Sequence, residues 1–149
     1  MPNPSLAKQP NLDQWLALQP DGRVQVRTGK IDIGQRISTA LMLIAAEELD
    51  VDPARVDILP VETGVSPDEG VTSGSNSMEE SGEAVRRASA TARRHLVALA
   101  AQALNVPESS LDVSDGLVRS RATNRSVTYW ELAGGKPFAI PVDAAVELK

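Results

Sequence analysis

Two short polar turns carry the residue types best suited to chemistry in this sequence. Gly34-Gln35-Arg36 and Thr72-Ser73-Gly74-Ser75-Asn76-Ser77 each run directly into a long segment with apolar residues at helical spacing. The first four amides of a helix have no partner within the helix and lie at its positive dipole end. Small residues there let an anion approach the backbone closely. The two turns therefore predict a pair of anion-binding helix starts.

Helix capping is the structural alternative at the second turn. The hydroxyl of Ser75 or Ser77 can cap a helix whose first turn carries Glu79 or Glu80, as in a capping box. At this level capping and anion binding both remain open.

The other candidate groups indicate a surface rather than an active site. Adjacent helical residues do not face one another, so we predict that three carboxylate pairs are solvated rather than shared-proton dyads. These pairs are Glu47-Glu48, Asp68-Glu69 and Glu79-Glu80. His95 is the only histidine and lies among arginines, so we predict that it packs at the surface or in a groove. The serines of residues 66–89 have no neighbouring histidine as a base. We predict no catalytic residue and no protein-bound metal.

The composition excludes several classes of protein. A net charge of −5 and an aromatic content of 3% argue against nucleic acid as a partner. The absence of cysteine excludes a disulfide, a thiolate zinc site and an iron–sulfur ligand within these residues. No stretch approaches the roughly 18 apolar residues of a membrane span, and residues 1–5 lack an apolar signal core. We expect a cytoplasmic protein without a membrane partner.

Hydrophobic periodicity predicts the elements that position the two turns. Apolar residues alternate over 23–33, over 56–61 and in short stretches between 111 and 129, which indicates strands. They recur at three- and four-residue steps over 37–49 and about 78–104, which indicates helices. The predicted fold class is α+β, with two long helices packed on one mixed sheet in β-α-β-α-β-β order.

A weak internal repeat supports this order of elements. Residues 45–51 match residues 100–106 without gaps, and Val56-Asp57-Ile58 then falls on Leu111-Asp112-Val113 at the same offset. Each predicted unit is a helix, a proline-bearing turn and a strand.

Both turns and their flanks resemble the molybdopterin-binding segments of the xanthine dehydrogenase and aldehyde oxidase family. The first matching run is Thr28-Gly29-Lys30-Ile31-Asp32-Ile33-Gly34-Gln35, followed by residues 37–40 and 45–49. The second is Pro67-Asp68-Glu69-Gly70-Val71-Thr72-Ser73-Gly74-Ser75-Asn76-Ser77-Met78-Glu79, followed by residues 81–82 and 127–132. The chain is most similar to large subunits of the isoquinoline 1-oxidoreductase and nicotinate dehydrogenase type, from about Leu12 to Gly135.

The resemblance implies a molybdenum ion held by the dithiolene of a molybdopterin, in the cytosine dinucleotide form usual in bacterial members. It implies hydroxylation of N-heterocycles or aldehydes with oxygen from water, and electron transfer through iron–sulfur clusters on a partner subunit or domain. By this resemblance, one side of the pterin is lined by Ile33, Gly34 and Gln35. The pyrophosphate or the pterin edge is held by Gly74, Ser75, Ser77 and Met78.

The sequence departs from the family in one residue and in length. Arg36 stands where the family usually has glycine, so either the backbone there is strained or the guanidinium adds a phosphate contact. The family's large subunit is several times longer, and no match to its catalytic glutamate motif occurs in these 149 residues.

We therefore predict the cofactor-contacting N-terminal part of a molybdenum hydroxylase, which is not active alone. Residues 1–11 form a flexible arm, residues 12–135 a molybdopterin-binding α+β domain, and residues 136–149 a C-terminal extension or truncated linker. The expected partners are the remainder of the large subunit and an iron–sulfur subunit. The alternative is a stand-alone, non-catalytic binding or assembly module without cofactor. Uncovered sheet edges and apolar faces would favour a homo-oligomer of the isolated chain.

Overall fold

The structure of the protein is a computed structural model that describes residues 11–27, 37–58, 82–134, 138, 140–143 and 145–149. The helices are α1 (Ile37–Leu49), α2 (Glu83–Leu104) and α3 (Tyr129–Ala133). The strands are β1 (Leu16–Leu18), β2 (Val24–Val26), β3 (Val56–Ile58), β4 (Leu111–Ser114), β5 (Leu117–Ser120) and β6 (Ser126–Thr128). None of the described helices is both long enough and apolar enough to cross a membrane.

The first sheet contains β1, β2 and β3 in that order. β1 and β2 form an antiparallel hairpin, whereas β3 pairs parallel with β2, so that Val24 lies opposite Val56 and Val26 opposite Ile58. A parallel pair requires a long crossover connection, and α1 lies within that connection. Val24 and Val26 are fully buried while Gln25 between them is not, as the two-residue period of a strand requires.

The second sheet contains β4, β5 and β6, all antiparallel. The turn between β4 and β5 is Asp115-Gly116, with φ of 48° and 75°. Two residues with positive φ form the turn type that matches the twist of a hairpin, and Asp-Gly is one of its preferred sequences. This sheet is therefore built from neighbouring segments of the chain.

The α+β class and the two long helices are confirmed, but the described strands form two three-stranded sheets rather than one mixed sheet. Among the described residues the observed order is β-β-α-β-α-β-β-β-α, which adds β1, one further strand in the second sheet and α3 to the predicted elements. A two-residue turn suffices to pair β4 with β5, whereas joining the first sheet would need another long-range pairing. The local pairing accounts for the separate second sheet.

The internal repeat is confirmed in the backbone. α1 ends at Leu49 and is followed by Asp50 with φ of 60°, and α2 ends at Leu104 and is followed by Asn105 with φ of 55°. A 3₁₀ turn and a strand come next in both units, with Pro53–Arg55 before β3 and Glu108–Ser110 before β4. Both helices therefore end on a residue in the left-handed conformation, which is a common way to stop a helix.

The hydrophobic core lies where α1 and α2 pack against each other and against the strands. Its largest fully buried apolar and aromatic side chains are Trp15, Tyr129, Leu12, Leu16, Leu41, Leu49 and Leu96. α2 contributes mainly small side chains to the core, including Ala84, Ala88 and Ala92. Small side chains let the neighbouring elements approach the helix backbone closely.

The described residues of the C-terminal part pack along α2. Phe138 and Val146 are 6% exposed, and the amide of Leu12 donates to the carbonyl of Ile140 at 2.9 Å. Asp143 accepts from Arg94 at 2.7 Å, and its amide donates to the Thr91 hydroxyl. These contacts attach the segment to the rest of the chain, while the predicted division at residue 135 stays a prediction.

The two sheets meet at the end of α1. The Tyr129 hydroxyl donates to the carbonyl of Leu49 at 2.7 Å, and the Gly116 amide donates to the carbonyl of Asp50 at 2.9 Å. Trp130 donates its indole N–H to the carbonyl of Arg23, and the Arg55 guanidinium lies 4.8 Å from the centroid of the Trp130 ring. Burial raises the pKa of Tyr129, and the Asp50 charge raises it further, so the hydroxyl remains a donor.

Gly116 is the tightest point of this junction. A Cβ at Gly116 would lie 2.6 Å from two carbon atoms of the Trp130 ring, and its φ of 75° disfavours other residues. We predict that Gly116→Ala destabilises the protein by at least about 2 kcal/mol, through backbone strain and overpacking together. The measurement is the urea midpoint at unchanged m-value.

Gly134 provides the matched control for this variant. It has φ of 59°, but a Cβ there would meet nothing within 4 Å. Gly134→Ala should therefore carry the backbone strain alone, about 1 kcal/mol. Equal losses for the two variants would show that contact with Trp130 does not limit position 116.

The stability of this junction depends on pH through the carboxyl group of Asp115. Its hydrogen bond from Arg55, and a second from the amide of Asp52, hold the pKa of the carboxyl below its usual value. The carboxylate thus contributes stability above the unfolded pKa of about 3.9, and this contribution is lost as pH falls through the folded pKa.

We predict that Asp115→Asn lowers stability at pH 7 by less than about 1 kcal/mol, because the side chain is 46% exposed and screened by water. Asparagine tolerates the same positive φ, so the backbone is matched. Urea midpoints at pH 7, 5, 4 and 3 should converge between variant and wild type as the carboxylate is protonated. A difference that persists at pH 3 would mean that the charge of Asp115 is not its cause.

Candidate functional site

All seven residues predicted to contact the cofactor lie outside the described residues. They are Ile33, Gly34, Gln35, Gly74, Ser75, Ser77 and Met78. Arg36 and the carboxylate pairs Asp68-Glu69 and Glu79-Glu80 lie outside them as well. The structure does describe the strands and helices that precede and follow the two predicted cofactor-contacting segments.

The two segments follow neighbouring parallel strands. Residues 28–36 come after β2, residues 59–81 come after β3, and the last residues of these strands, Val26 and Ile58, are partners in the sheet. The carboxyl ends of parallel strands lie at one edge, and ligands of open α/β sheets bind outside that edge. The two described strands that precede these segments therefore end at a common side of the sheet, which we call the carboxyl edge.

Arg27 lies at the carboxyl edge, directly after β2. Its amide donates to the carbonyl of Trp15 at 2.8 Å, which fixes its backbone beside β1. Its Nε atom is buried and makes no hydrogen bond, and none of the described carboxylates forms an ion pair with it. A buried donor without an acceptor costs free energy, and a guanidinium matches phosphate geometry well. Arg27 therefore suits an anion at this edge, a role that the sequence pattern did not indicate.

The first described residues of the two long helices are not level with each other. Gly82 has helical φ and ψ of −61° and −45° and makes no capping side-chain bond. Together with Glu83, Arg86 and Arg87, it faces α1 between Leu43 and Glu48 across a groove. Ile37 begins α1 six residues before Leu43, roughly 9 Å along the helix axis.

This groove between α1 and α2 has a volume of about 840 Å³. Leu148 and Lys149 close one side of it, and Leu43 on α1 is 50% exposed. We call it the interhelix groove. It lies beside the first described turn of α2, where the segment 59–81 returns to the helix.

The expectation of solvated carboxylates is wrong for Glu48. Glu47 is exposed, but Glu48 is only 2% exposed and accepts from Arg86 Nε at 2.9 Å. The amide of Lys149 also donates to Glu48, at 3.2 Å. Successive helical residues point about 100° apart, so one carboxylate of the pair reaches solvent while the other reaches Arg86. The partner is remote in sequence, and this is why the pattern did not reveal it.

His95 packs as predicted, against Phe138 with ring centroids 6.2 Å apart and an edge-on geometry. Within the described ranges, no group of three histidine, cysteine, aspartate or glutamate residues is arranged to hold a metal ion.

The sequence profile of the molybdopterin cofactor-binding domain matches residues 3–147. The chain belongs to this family. The predicted membership of the molybdopterin-binding xanthine dehydrogenase family is confirmed, and the domain is a molybdopterin cofactor-binding domain. The orphaned Nε of Arg27 at the carboxyl edge fits a cofactor that carries phosphate.

Two named relatives support the assignment of this chain to the family. A subunit of nicotinate dehydrogenase from Pseudomonas putida is 33% identical over 142 residues, which are 95% of this chain and 12% of that protein. The beta subunit of isoquinoline 1-oxidoreductase from Brevundimonas diminuta is 33% identical over 141 residues, covering 87% of this chain and 17% of that protein. The chain therefore spans less than a fifth of the length of either relative.

A solved structure agrees with this family fold. The reconstituted CO dehydrogenase from Oligotropha carboxidovorans superimposes with a TM-score of 0.68 at 28% identity. The match covers 79% of this chain and 15% of the matched chain. The molybdopterin cofactor-binding domain thus has a fold that occurs within much longer chains.

We predict that Arg27→Gln weakens retention of the molybdopterin cofactor by about tenfold or more. Loss of a charge-assisted hydrogen bond to phosphate costs roughly 1.5–3 kcal/mol. Molybdenum and pterin per chain, measured after purification from the native host and extensive dilution, test the prediction. Arg119→Gln is the control, because Arg119 is exposed on β5 in the second sheet. Equal cofactor content in both variants would exclude Arg27 as a contact.

Proposed function

We propose that this chain is the cofactor-contacting part of a molybdenum hydroxylase and that it does not turn over substrate alone. The enzyme would be an oxidoreductase that acts on N-heterocycles or aldehydes with water as the source of oxygen. The observation that carries this proposal is the pairing of β2 with β3 in parallel, with Val26 opposite Ile58. Both segments that resemble the family's cofactor loops follow these two strand ends.

The chain's own residues would bind and orient the cofactor. Ile33, Gly34 and Gln35 would line one side of the pterin, while Gly74, Ser75, Ser77 and Met78 would hold its pyrophosphate or pterin edge. Arg27 would neutralise phosphate charge at the carboxyl edge. When bound, the cofactor supplies the oxidising molybdenum centre.

The finer features of the enzyme belong to the same proposal. The names of the relatives include nicotinate and isoquinoline, which supports an N-heterocyclic substrate. The relatives are named as subunits, which supports an assembly with the remainder of a large subunit and an iron–sulfur subunit. We propose the cytosine dinucleotide form of the cofactor and a cytoplasmic location on the sequence resemblance and composition.

The proposed contacts can be tested by two substitutions in the assembled enzyme. Gln35→Ala and Ser75→Ala should each lower molybdenum and pterin content several-fold, because each removes a polar contact to the cofactor. The measurement is molybdenum by elemental analysis and pterin by fluorescence of its oxidised form, per mole of chain. Met42→Leu on α1 is a volume-conserving control. Unchanged occupancy in both variants would overturn the site assignment.

The proposed function itself is tested on the native protein with whatever co-purifies at stoichiometric level. Molybdenum, pterin and a large companion polypeptide would support it. A chain that is free of molybdenum and pterin but forms a defined oligomer would overturn it in favour of a stand-alone binding or assembly module.

A further inference from the structure

We infer that Glu48 and Arg86 are positioning residues for the start of α2, and that their ion pair sets how well the domain retains its cofactor. Glu48 lies in the last turn of α1, and Arg86 lies in the first turn of α2. The inference rests on the proposed function, since the segment returning to α2 at Gly82 carries the proposed contacts Ser75 and Ser77.

The location of Glu48 is unfavourable for a carboxylate. The carboxyl end of a helix carries negative partial charge, which repels an acidic side chain. Glu48 is also 2% exposed, so it has lost nearly all of its water. A buried charge is tolerated only when it is paired and hydrogen-bonded. The bonds from Arg86 Nε and from the Lys149 amide meet that requirement.

Arg86 joins three parts of the chain at this point. Its Nε binds Glu48 on α1, and its Nη2 donates to the carbonyl of Lys149 in the C-terminal part. The Lys149 ammonium in turn pairs with Asp50, directly after α1. The start of α2 is thus tied to the end of α1 by charge-assisted bonds between residues that line the interhelix groove.

Apart from this ion pair, the start of α2 packs into the core through Ala84 and Val85, which are fully buried. Gly82 provides no side-chain capping hydrogen bond to the helix. Leu43, on the apolar wall of the groove, is half exposed. Breaking the ion pair would leave a buried charge uncompensated and allow the first turn of α2 to shift away from α1. A shift there would displace the chain that enters the helix from the cofactor-contacting segment.

The test compares Glu48→Ala, Arg86→Ala and the double variant with Glu47→Gln as the matched control. Glu47 is the adjacent carboxylate, but it is exposed. All are made in the protein assembled with its native partners. We expect cofactor content per folded chain to fall at least about fivefold in each single variant and no further in the double variant, because both residues act through one interaction. Glu47→Gln should retain wild-type content.

Two further measurements separate positioning from loss of folding. Glu48→Gln keeps the shape and an acceptor for Arg86, so it should restore part of the cofactor content that Glu48→Ala loses. Hydrogen exchange should show faster exchange confined to the first turn of α2, residues 82–87, in Glu48→Gln. Wild-type cofactor content in a folded Glu48→Ala chain would overturn the inference, as would an equal loss in Glu47→Gln.

Failure of the inference can be distinguished from failure of the proposed function. If the wild-type assembly holds no molybdenum or pterin, both the proposed function and the inferred effect of the ion pair on cofactor retention are overturned. Exchange at residues 82–87 then decides whether the ion pair positions the helix: faster exchange in Glu48→Gln supports the positioning role, and unchanged exchange overturns it. If the wild-type assembly contains the cofactor and the variants retain it, the inference is overturned but the proposed function is not.

Discussion

The carboxyl end of α1 holds the described parts of the molecule together. The last carbonyls of a helix have no partners within the helix and must find donors elsewhere. Here Tyr129 at the start of α3 donates to the carbonyl of Leu49, and Gly116 in the turn between β4 and β5 donates to the carbonyl of Asp50, directly after α1. Glu48 in the same turn binds Arg86 of α2. A single helix end therefore sets the relation between both sheets and both long helices.

The elements that the sequence predicted well are those whose signal is local. The three- and four-residue spacing of apolar residues predicted α1. The predicted repeat of helix, turn and strand is also present in the structure, where each long helix is followed by a residue in the left-handed conformation, Asp50 or Asn105. The division of the strands into two sheets was missed because strand pairing depends on residues far apart in the chain. β1 was missed as a strand because its residues Leu16-Ala17-Leu18 are all apolar and show no alternation of apolar and polar residues.

The candidate site also has parts that the sequence predicted and parts that only the structure reveals. Residue type and spacing predicted two anion-binding helix starts, and the family resemblance implied that both segments contact the cofactor. The structure adds the carboxyl edge that the chain leaves before each of them. Arg27 and Glu48 could not be found from sequence, because an orphaned Nε and a buried carboxylate are properties of the surroundings in the fold. The general expectation that carboxylates are solvated holds for Glu47 and is overridden by one partner at Glu48.

The two sheets also differ in how the chain can assemble them. β4, β5 and β6 follow one another through short connections, so little loop-closure entropy opposes their pairing. β2 and β3 must enclose α1 and both of its connections before they pair, which makes their contact non-local. We therefore expect the second sheet to form early and to present Tyr129 and Gly116 as a template for the end of α1. The carboxyl edge would then be completed last, on a scaffold that has already folded.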